Sequence, residues 1–159
     1  MAKQPAEANF TDILDRPASE VERPAPLPAG SYACVIKGMP KHDVSSKKKT
    51  PYVEFTLQPQ QAMEDVDQEA LNAWSQKKDG TVRTLQDTTI RATYYKTEDA
   101  LWRLKDFLKH CGFDEDSDES LRQMIDGTPG RQVGVFMSHE ATQDGEGVFA
   151  QLSKTFKLD

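Results

Sequence analysis

A chain of 159 residues with a net charge of −6 is long enough to bury one core, but only 36% of its residues are hydrophobic, less than is usual in a compact domain. We therefore expect one folded domain together with a segment that does not pack. No apolar run approaches the ~18 residues that cross a membrane, and the N-terminus has no apolar signal core, so we expect an intracellular protein without a membrane partner.

The first 28 residues differ from the rest of the chain because they carry five of its nine prolines. Prolines at this density break helices and strands, and few apolar residues are present to be buried. We therefore interpret residues 1–28 as a flexible, proline-rich arm and residues 29–159 as the folded domain. The one apolar island of the arm, residues 9–15, is available to dock on the domain or on a partner protein.

Two strands are predicted at the start of the domain, over residues 31–37 and 51–59. Both alternate apolar and polar side chains, as a strand with one buried face does. The segment between them, residues 39–50, is predicted to be a turn. Residues 61–80 follow as a short acidic helix or an ordered excursion. The β-branched and aromatic residues at 81–96 predict one bent strand or two short ones.

A helix is predicted over residues 97–112 from apolar side chains at helical spacing, and the acidic segment 114–127 predicts a turn and a second short helix. A hairpin of strands at 128–140 and 148–158 ends the chain. Short strands with one helical interruption suit a closed barrel, which has no exposed edge, and an OB-fold has its helical connection before the last hairpin. The predicted fold is mainly β with helical inserts: an OB-fold-like small β-barrel, with a helix pair before the last hairpin and a disordered N-terminal arm.

Charge is unevenly distributed along the chain, although the chain is acidic as a whole. Residues 30–58 contain five lysines and two acids, and residues 80–96 contain two arginines, one lysine and one aspartate. The negative charge is concentrated in the predicted helical inserts instead. A protein with this pattern can present one basic face to a polyanion.

Three stretches are similar to one known family: "PLPAGSYACVIKG" at 26–38, "SSKKKTPYVEFTLQP" at 45–59, and "DGTPGRQVGVFMSHE" with "FAQLSKTF" at 126–156. They resemble bacteriophage-encoded OB-fold single-stranded DNA-binding proteins, whose pattern also contains a helix of the "LWxLxxFLxxCG" kind. The resemblance spans about residues 26–156. In this chain Lys49 stands where the family pattern has glycine, and the C-terminus reads "KTFKLD" instead of an acidic tail.

The resemblance implies non-sequence-specific binding of single-stranded DNA in phage DNA replication or recombination, in the cytoplasm of the host cell. From the residues themselves we expect no catalysis, cofactor or metal. Acidic C-terminal tails commonly recruit replication partners in single-strand binders. Because this chain lacks one, we expect the N-terminal arm or the acidic helices to contact replication or recombination proteins.

Binding single strands without sequence choice requires cations along the phosphates and aromatic faces for the bases. The candidate residues are the cations Lys41, Lys47, Lys48, Lys49, Arg91 and Lys96 and the aromatic residues Tyr52, Tyr94 and Tyr95. Tyr94 and Tyr95 are adjacent in a predicted strand and point to opposite faces, so at most one packs in the core and the other is a candidate for stacking. Trp102 is expected to pack in the core or between the helix and the barrel, in preference to stacking on a base.

No catalytic or metal-binding pattern is recognisable in the sequence. Cys34 and Cys111 lie in apolar patterns and are interpreted as reduced core residues, and the three histidines are isolated. Residues 114–125 resemble a calcium loop in their alternate aspartates, but Glu119 and Ile125 stand where such a loop needs glycine and glutamate. A second hypothesis treats the acidic helices and the arm as a protein-interaction module, or as a DNA mimic that binds a replication protein or a nuclease.

Overall fold

The computed structural model describes residues 14–15, 17–20, 25–77, 80–145 and 147–158. The strands in this part of the chain are β1 (Gly30–Ile36), β2 (Lys41–Val44), β3 (Pro51–Ala62), β4 (Ile90–Tyr95), β5 (Gln132–Ala141) and β6 (Val148–Phe156). The helices are α1 (Gln68–Ser75), α2 (Leu101–His110) and α3 (Leu121–Asp126), with short 3₁₀ helices at Ala18–Glu20 and Leu85–Asp87. The prediction of a mainly β fold with helical inserts is confirmed. No helix within the described ranges is long and apolar enough to cross a membrane.

Strand β3 organises the single antiparallel sheet because it is 12 residues long and pairs along both edges. β4 pairs with one edge, and β2 and β1 lie one after the other along the opposite edge, against residues 51–54 and 57–62. Alternate side chains of β3, from Val53 to Pro59, are buried, and those between them are half-buried on the other face. The alternation that predicts this strand therefore corresponds to one buried face.

Strand β2 corrects the prediction of a continuous turn over residues 39–50. Its residues pair with the start of β3 in register, Lys41 with Glu54 and Val44 with Pro51. All four β2 residues are exposed, so they show no alternation of apolar and polar side chains that would predict a strand. The remaining turn, which we call the lysine loop, comprises residues 45–50 and joins β2 to β3.

The sheet is not closed within the described residues, in contrast to the predicted closed barrel. β5 pairs with β1 and β6, and β4 pairs with β3, so β4 and β6 each have a free edge; β2, which pairs only with β3, has one as well. The free edges of β4 and β6 lie on either side of a groove that α2 also lines. A side chain of α2 bridges to β6 here, because His110 Nδ1 lies 2.8 Å from Thr155 Oγ1.

Helix α2 covers the inner face of the sheet. Its buried side chains are Leu104, Phe107 and Leu108, each of which contributes about 1.5–3 kcal/mol by its burial. The Phe107 ring lies 4.6 Å from that of Phe55 and 4.9 Å from that of Tyr94, between centroids. The prediction of a helix pair before the last hairpin is confirmed, although α2 begins after a turn at residues 97–100.

The two cysteines lie in the core as the sequence predicts. Cys34 in β1 and Cys111 at the end of α2 are both buried and free. Burial raises the pKa of each thiol to about 12. Both thiols are therefore protonated at neutral pH and are poor nucleophiles.

The last residues of the predicted arm lie against the folded domain. Leu27 is only 5% exposed, and its carbonyl oxygen accepts a hydrogen bond from His139 Nε2 at 2.9 Å. The hydroxyl of Tyr32 donates to the Pro28 carbonyl at 2.6 Å. The structure does not describe residues 1–13, 16 and 21–24. Most of the apolar island belongs to these residues, and the prediction that the arm is flexible concerns them.

Candidate nucleic-acid interface

The outward-facing side chains of β2, β3 and β4 form a continuous surface, which we call the outer face. It consists of Lys41, Asp43, Tyr52, Glu54, Thr56, Arg91, Thr93 and Tyr95. Residues that are directly paired across neighbouring strands have side chains on the same face, so these residues lie in rows across the sheet. Tyr52 is the centre of the row nearest the lysine loop, with Asp43 on one side and Tyr95 on the other.

Tyr52 and Tyr95 form an aromatic pair on this face. Their ring centroids are 6.4 Å apart and their planes are inclined by 79°, an edge-to-face arrangement. Tyr95 is 47% exposed and Tyr52 is half-buried. Both rings therefore present area to solvent on which a flat, apolar group can stack.

Tyr94 lies on the opposite face from Tyr95. Its ring packs at 6.1 Å from Phe55 and 4.9 Å from Phe107, and burial raises the pKa of its hydroxyl. Between the two adjacent tyrosines, the structure therefore leaves Tyr95 for stacking. Tyr94 cannot stack on a base without leaving the core, so it is not part of the outer face.

The other rows of the outer face mix positive and negative charge. Lys41 lies opposite Glu54 in the register, and its ammonium is 3.7 Å from the carboxylate of Asp43. Glu54 also accepts a long hydrogen bond of 3.4 Å from Thr93 Oγ1. Arg91 is exposed and lies in the next row, opposite Thr56. Arg91 is therefore more available to an external anion than Lys41, whose charge is paired with that of Asp43.

The lysine loop brings three more cations to the end of the outer face that carries Tyr52. The loop is closed by a backbone hydrogen bond from Ser45 to Thr50 of 2.9 Å, and the Ser45 hydroxyl accepts a second one from Thr50. The side chains of Lys47, Lys48 and Lys49 are exposed. Among the described residues, no carboxylate lies within ion-pair distance of any of them. These ammonium groups are therefore available to an external polyanion.

Lys49 has a left-handed backbone conformation, with φ of 55°, at the position where the family pattern has glycine. A residue with a side chain pays roughly 1–2 kcal/mol of conformational energy in the left-handed region. Glycine avoids this cost, but it loses more backbone entropy on folding, which offsets roughly 0.5–1 kcal/mol of the gain. We expect Lys49→Gly to raise the free energy of unfolding by about 0.5–1 kcal/mol, measured by urea denaturation. Lys48→Gly is the control, because Lys48 has no positive φ, and we expect it to lower stability. Equal changes in the two variants would contradict strain at Lys49.

Lys96 is not brought to the outer face. It follows Tyr95 and therefore projects toward the side of Tyr94, where its ammonium lies 3.0 Å from His42 Nδ1. Burial, together with the charge of Lys96, lowers the pKa of His42. The imidazole is therefore neutral at pH 7, and its Nδ1 accepts a hydrogen bond from the Lys96 ammonium. Lys96 caps this end of the sheet, apart from the other candidate cations.

Trp102 is exposed, in contrast to the prediction that it packs in the core or between helix and barrel. It is 59% exposed on the first turn of α2, not packed between helix and sheet, and the Arg103 guanidinium lies 5.3 Å from its ring centroid. Its position beside Arg103 and away from the buried leucine stripe is a sequence signal that predicts exposure. Trp102 lines the groove between β4 and β6, next to the outer face.

The described part of the chain contains no group of three or more histidine, cysteine, aspartate or glutamate side chains placed to hold a metal ion. No protein-family model matches the chain, and a search among curated proteins finds no match either.

Proposed function

We propose that the chain binds single-stranded DNA without sequence choice, through the outer face and the lysine loop. The observation that carries the proposal is the exposed Tyr52–Tyr95 pair beside three lysines that have no carboxylate partner among the described residues. Single-strand binding needs this combination, because cations follow the phosphates and aromatic rings stack on the bases. The rings stack on any base, so the arrangement does not select a sequence.

The order of the strands supports an OB-like fold for this proposal. If β1 and β2 are counted as one interrupted strand, that strand pairs with both β3 and β5, and the hairpin partners β4 and β6 lie outside them. Helices α2 and α3 lie between β4 and β5, where an OB-fold has its helical connection. On this assignment the lysine loop joins the first two strands, and that loop flanks the binding face of OB-folds.

The resemblance extends the proposal to phage DNA replication or recombination in the cytoplasm of a host cell. In this proposal the protein acts there by binding alone. Replication or recombination proteins are its proposed protein partners, through the N-terminal arm or the acidic helices.

The triple variant K47A/K48A/K49A tests the proposal. Each lysine that contacts a phosphate releases counterions from the DNA. In a plot of the logarithm of the binding constant against the logarithm of the salt concentration, each contact therefore adds about −0.7 to the slope for single strands. We expect affinity for oligo-dT to fall on the order of tenfold at low salt, and the salt slope to decrease in magnitude by about 2. Fluorescence anisotropy with labelled oligo-dT and a matched duplex, at several salt concentrations, measures both quantities.

The control variant K77A/K105A/K157A removes the same charge from three exposed lysines outside the loop. A general loss of charge would weaken binding equally in both variants, whereas a contact site in the loop weakens it mainly in the first. Unchanged affinity of the loop variant at every salt concentration would exclude the loop from the site. If wild-type protein does not bind oligo-dT even at low salt, the proposal fails. The exposed acidic turn at 114–119 then becomes the candidate surface, with a protein as its partner.

A further inference from the structure

The groove between the free edges of β4 and β6 is a separate feature from the outer face. It encloses about 850 Å³ and is lined by residues 91–95 of β4, by part of α2 and by residues 151–155 of β6. Three outer-face residues, Arg91, Thr93 and Tyr95, also line the groove and therefore belong to both surfaces. A chain that lies on the outer face can pass over β4 into this groove.

The charges that line the groove select an anionic occupant. Among the described residues that line it, the permanent cations are Arg91 and Arg103 on one side and Lys154 on the other, and the one carboxylate is Asp106. No ion pair joins Asp106 to any of these cations in the part of the chain that the structure describes. His110, which also lines the groove, is already hydrogen-bonded to Thr155. The groove therefore has an excess of positive charge.

Trp102 adds an aromatic surface to this positive groove. The other tryptophan of the chain, Trp74, is 5% exposed, whereas Trp102 is 59% exposed. Leaving an indole of this size in water forgoes the stabilisation that its burial would provide. Arg103 lies beside the indole ring, so a positive charge accompanies the aromatic surface. A ligand with flat aromatic groups joined by anionic links matches both features.

We infer that the groove is a second binding strip for single-stranded DNA, in which a base stacks on Trp102 and the neighbouring phosphates contact Arg103 and Lys154. This inference rests on the proposed function, because the strand enters the groove from the outer face over Arg91 and Tyr95. Stacking of one base on an aromatic side chain contributes roughly 1–3 kcal/mol. The carboxylate of Asp106 opposes the phosphates and weakens binding in this strip.

Tryptophan fluorescence tests the strip directly, because the protein has one exposed and one buried indole. In W74F only Trp102 emits, and we expect oligo-dT to quench its fluorescence. In W102F only the buried Trp74 emits, and we expect little quenching. By anisotropy, W102A should lower the affinity for oligo-dT by about 5- to 100-fold, W102F should lower it less, and D106N should raise it. The thermal unfolding of each variant shows whether it is folded.

Failure of the groove inference and failure of the proposed function give different results. If oligo-dT binds wild-type protein and the lysine-loop variant weakens that binding, the proposed function stands. If in the same protein Trp102 is not quenched and W102A and D106N bind as wild type does, the groove is not part of the DNA site. Quenching of Trp102 by poly-glutamate but not by oligo-dT would also overturn the inference, in favour of an acidic protein segment. No binding of oligo-dT at all overturns both.

Discussion

Replacing Gly30 with alanine is expected to lower the free energy of unfolding by about 2–4 kcal/mol. Gly30 has φ of +135°, which a residue with a side chain rarely adopts. A Cβ atom at this position would lie 2.6 Å from Val66 Cγ2 and 3.1 Å from Val66 Cα, so the Val66 backbone would have to move as well. The clash adds to the conformational strain, and it explains the glycine of the "LPAGSY" stretch.

The contact at Gly30 matters because it docks the turn before α1 onto β1. The Asp65 carboxylate accepts hydrogen bonds from the backbone and hydroxyl of Ser31, at 2.9 Å and 2.7 Å. The Ser31 hydroxyl and backbone bonds hold the pKa of Asp65 below its usual range. A displaced Val66 would pull this carboxylate away from Ser31. We therefore expect the pKa of Asp65, measured by NMR titration, to rise toward its usual value in the Gly30→Ala variant.

The variant Gly38→Ala separates the conformational strain of a positive φ from the clash with Val66, which act together at Gly30. Gly38 also has a positive φ, of +72°, but no atom of the described residues beyond its two chain neighbours lies within 4 Å of its added Cβ. Alanine there meets only the conformational strain, so we expect a loss of about 1 kcal/mol. Urea unfolding followed by circular dichroism measures both variants. Equal losses at Gly30 and Gly38 would show that the contact with Val66 contributes nothing.

The double variant Y52A/Y95A is expected to weaken binding of oligo-dT by about 30-fold or more, because two stacked bases at roughly 1–3 kcal/mol each contribute at least about 2 kcal/mol. The two rings lie on the outer face, so their removal leaves the buried side of β3 and β4 unchanged. Unlike the loop variant, this variant should keep the salt slope of wild type, because it removes no cation. Anisotropy titrations at several salt concentrations distinguish the two effects.

Two control variants accompany Y52A/Y95A. The variant Y52F/Y95F keeps both rings and loses only the hydroxyls, so we expect it to retain most of the affinity. Y94F keeps the ring of the tyrosine that faces the core and lines the groove, so it removes no stacking surface and should weaken binding far less than Y52A/Y95A does. If Y94F weakens binding as much as Y52A/Y95A does, or if Y52A/Y95A binds normally, the outer face is not the stacking surface.

Strands and helices with one buried face are the elements that periodicity predicts. β3 alternates at every second residue because one face lies on the core, and α2 repeats its apolar residues because one side packs on the sheet. β2 is missed because all four of its residues are exposed, so that its pairing with β3 depends on backbone hydrogen bonds that leave no side-chain pattern. Closure of the barrel is also outside what periodicity can predict, because it depends on how β4 and β6 meet.

The candidate site divides in the same way. The sequence alone determines that three lysines precede β3, that Tyr52 lies on its non-core face and that Tyr94 and Tyr95 point in opposite directions. Only the tertiary structure decides that Phe107 fills the side of Tyr94, which leaves Tyr95 beside Tyr52. The same is true of Lys96, which lies against His42, and of Trp102, which lines a groove. Alternation along a strand is a local property, whereas the packing partner of a side chain depends on residues far away in the sequence.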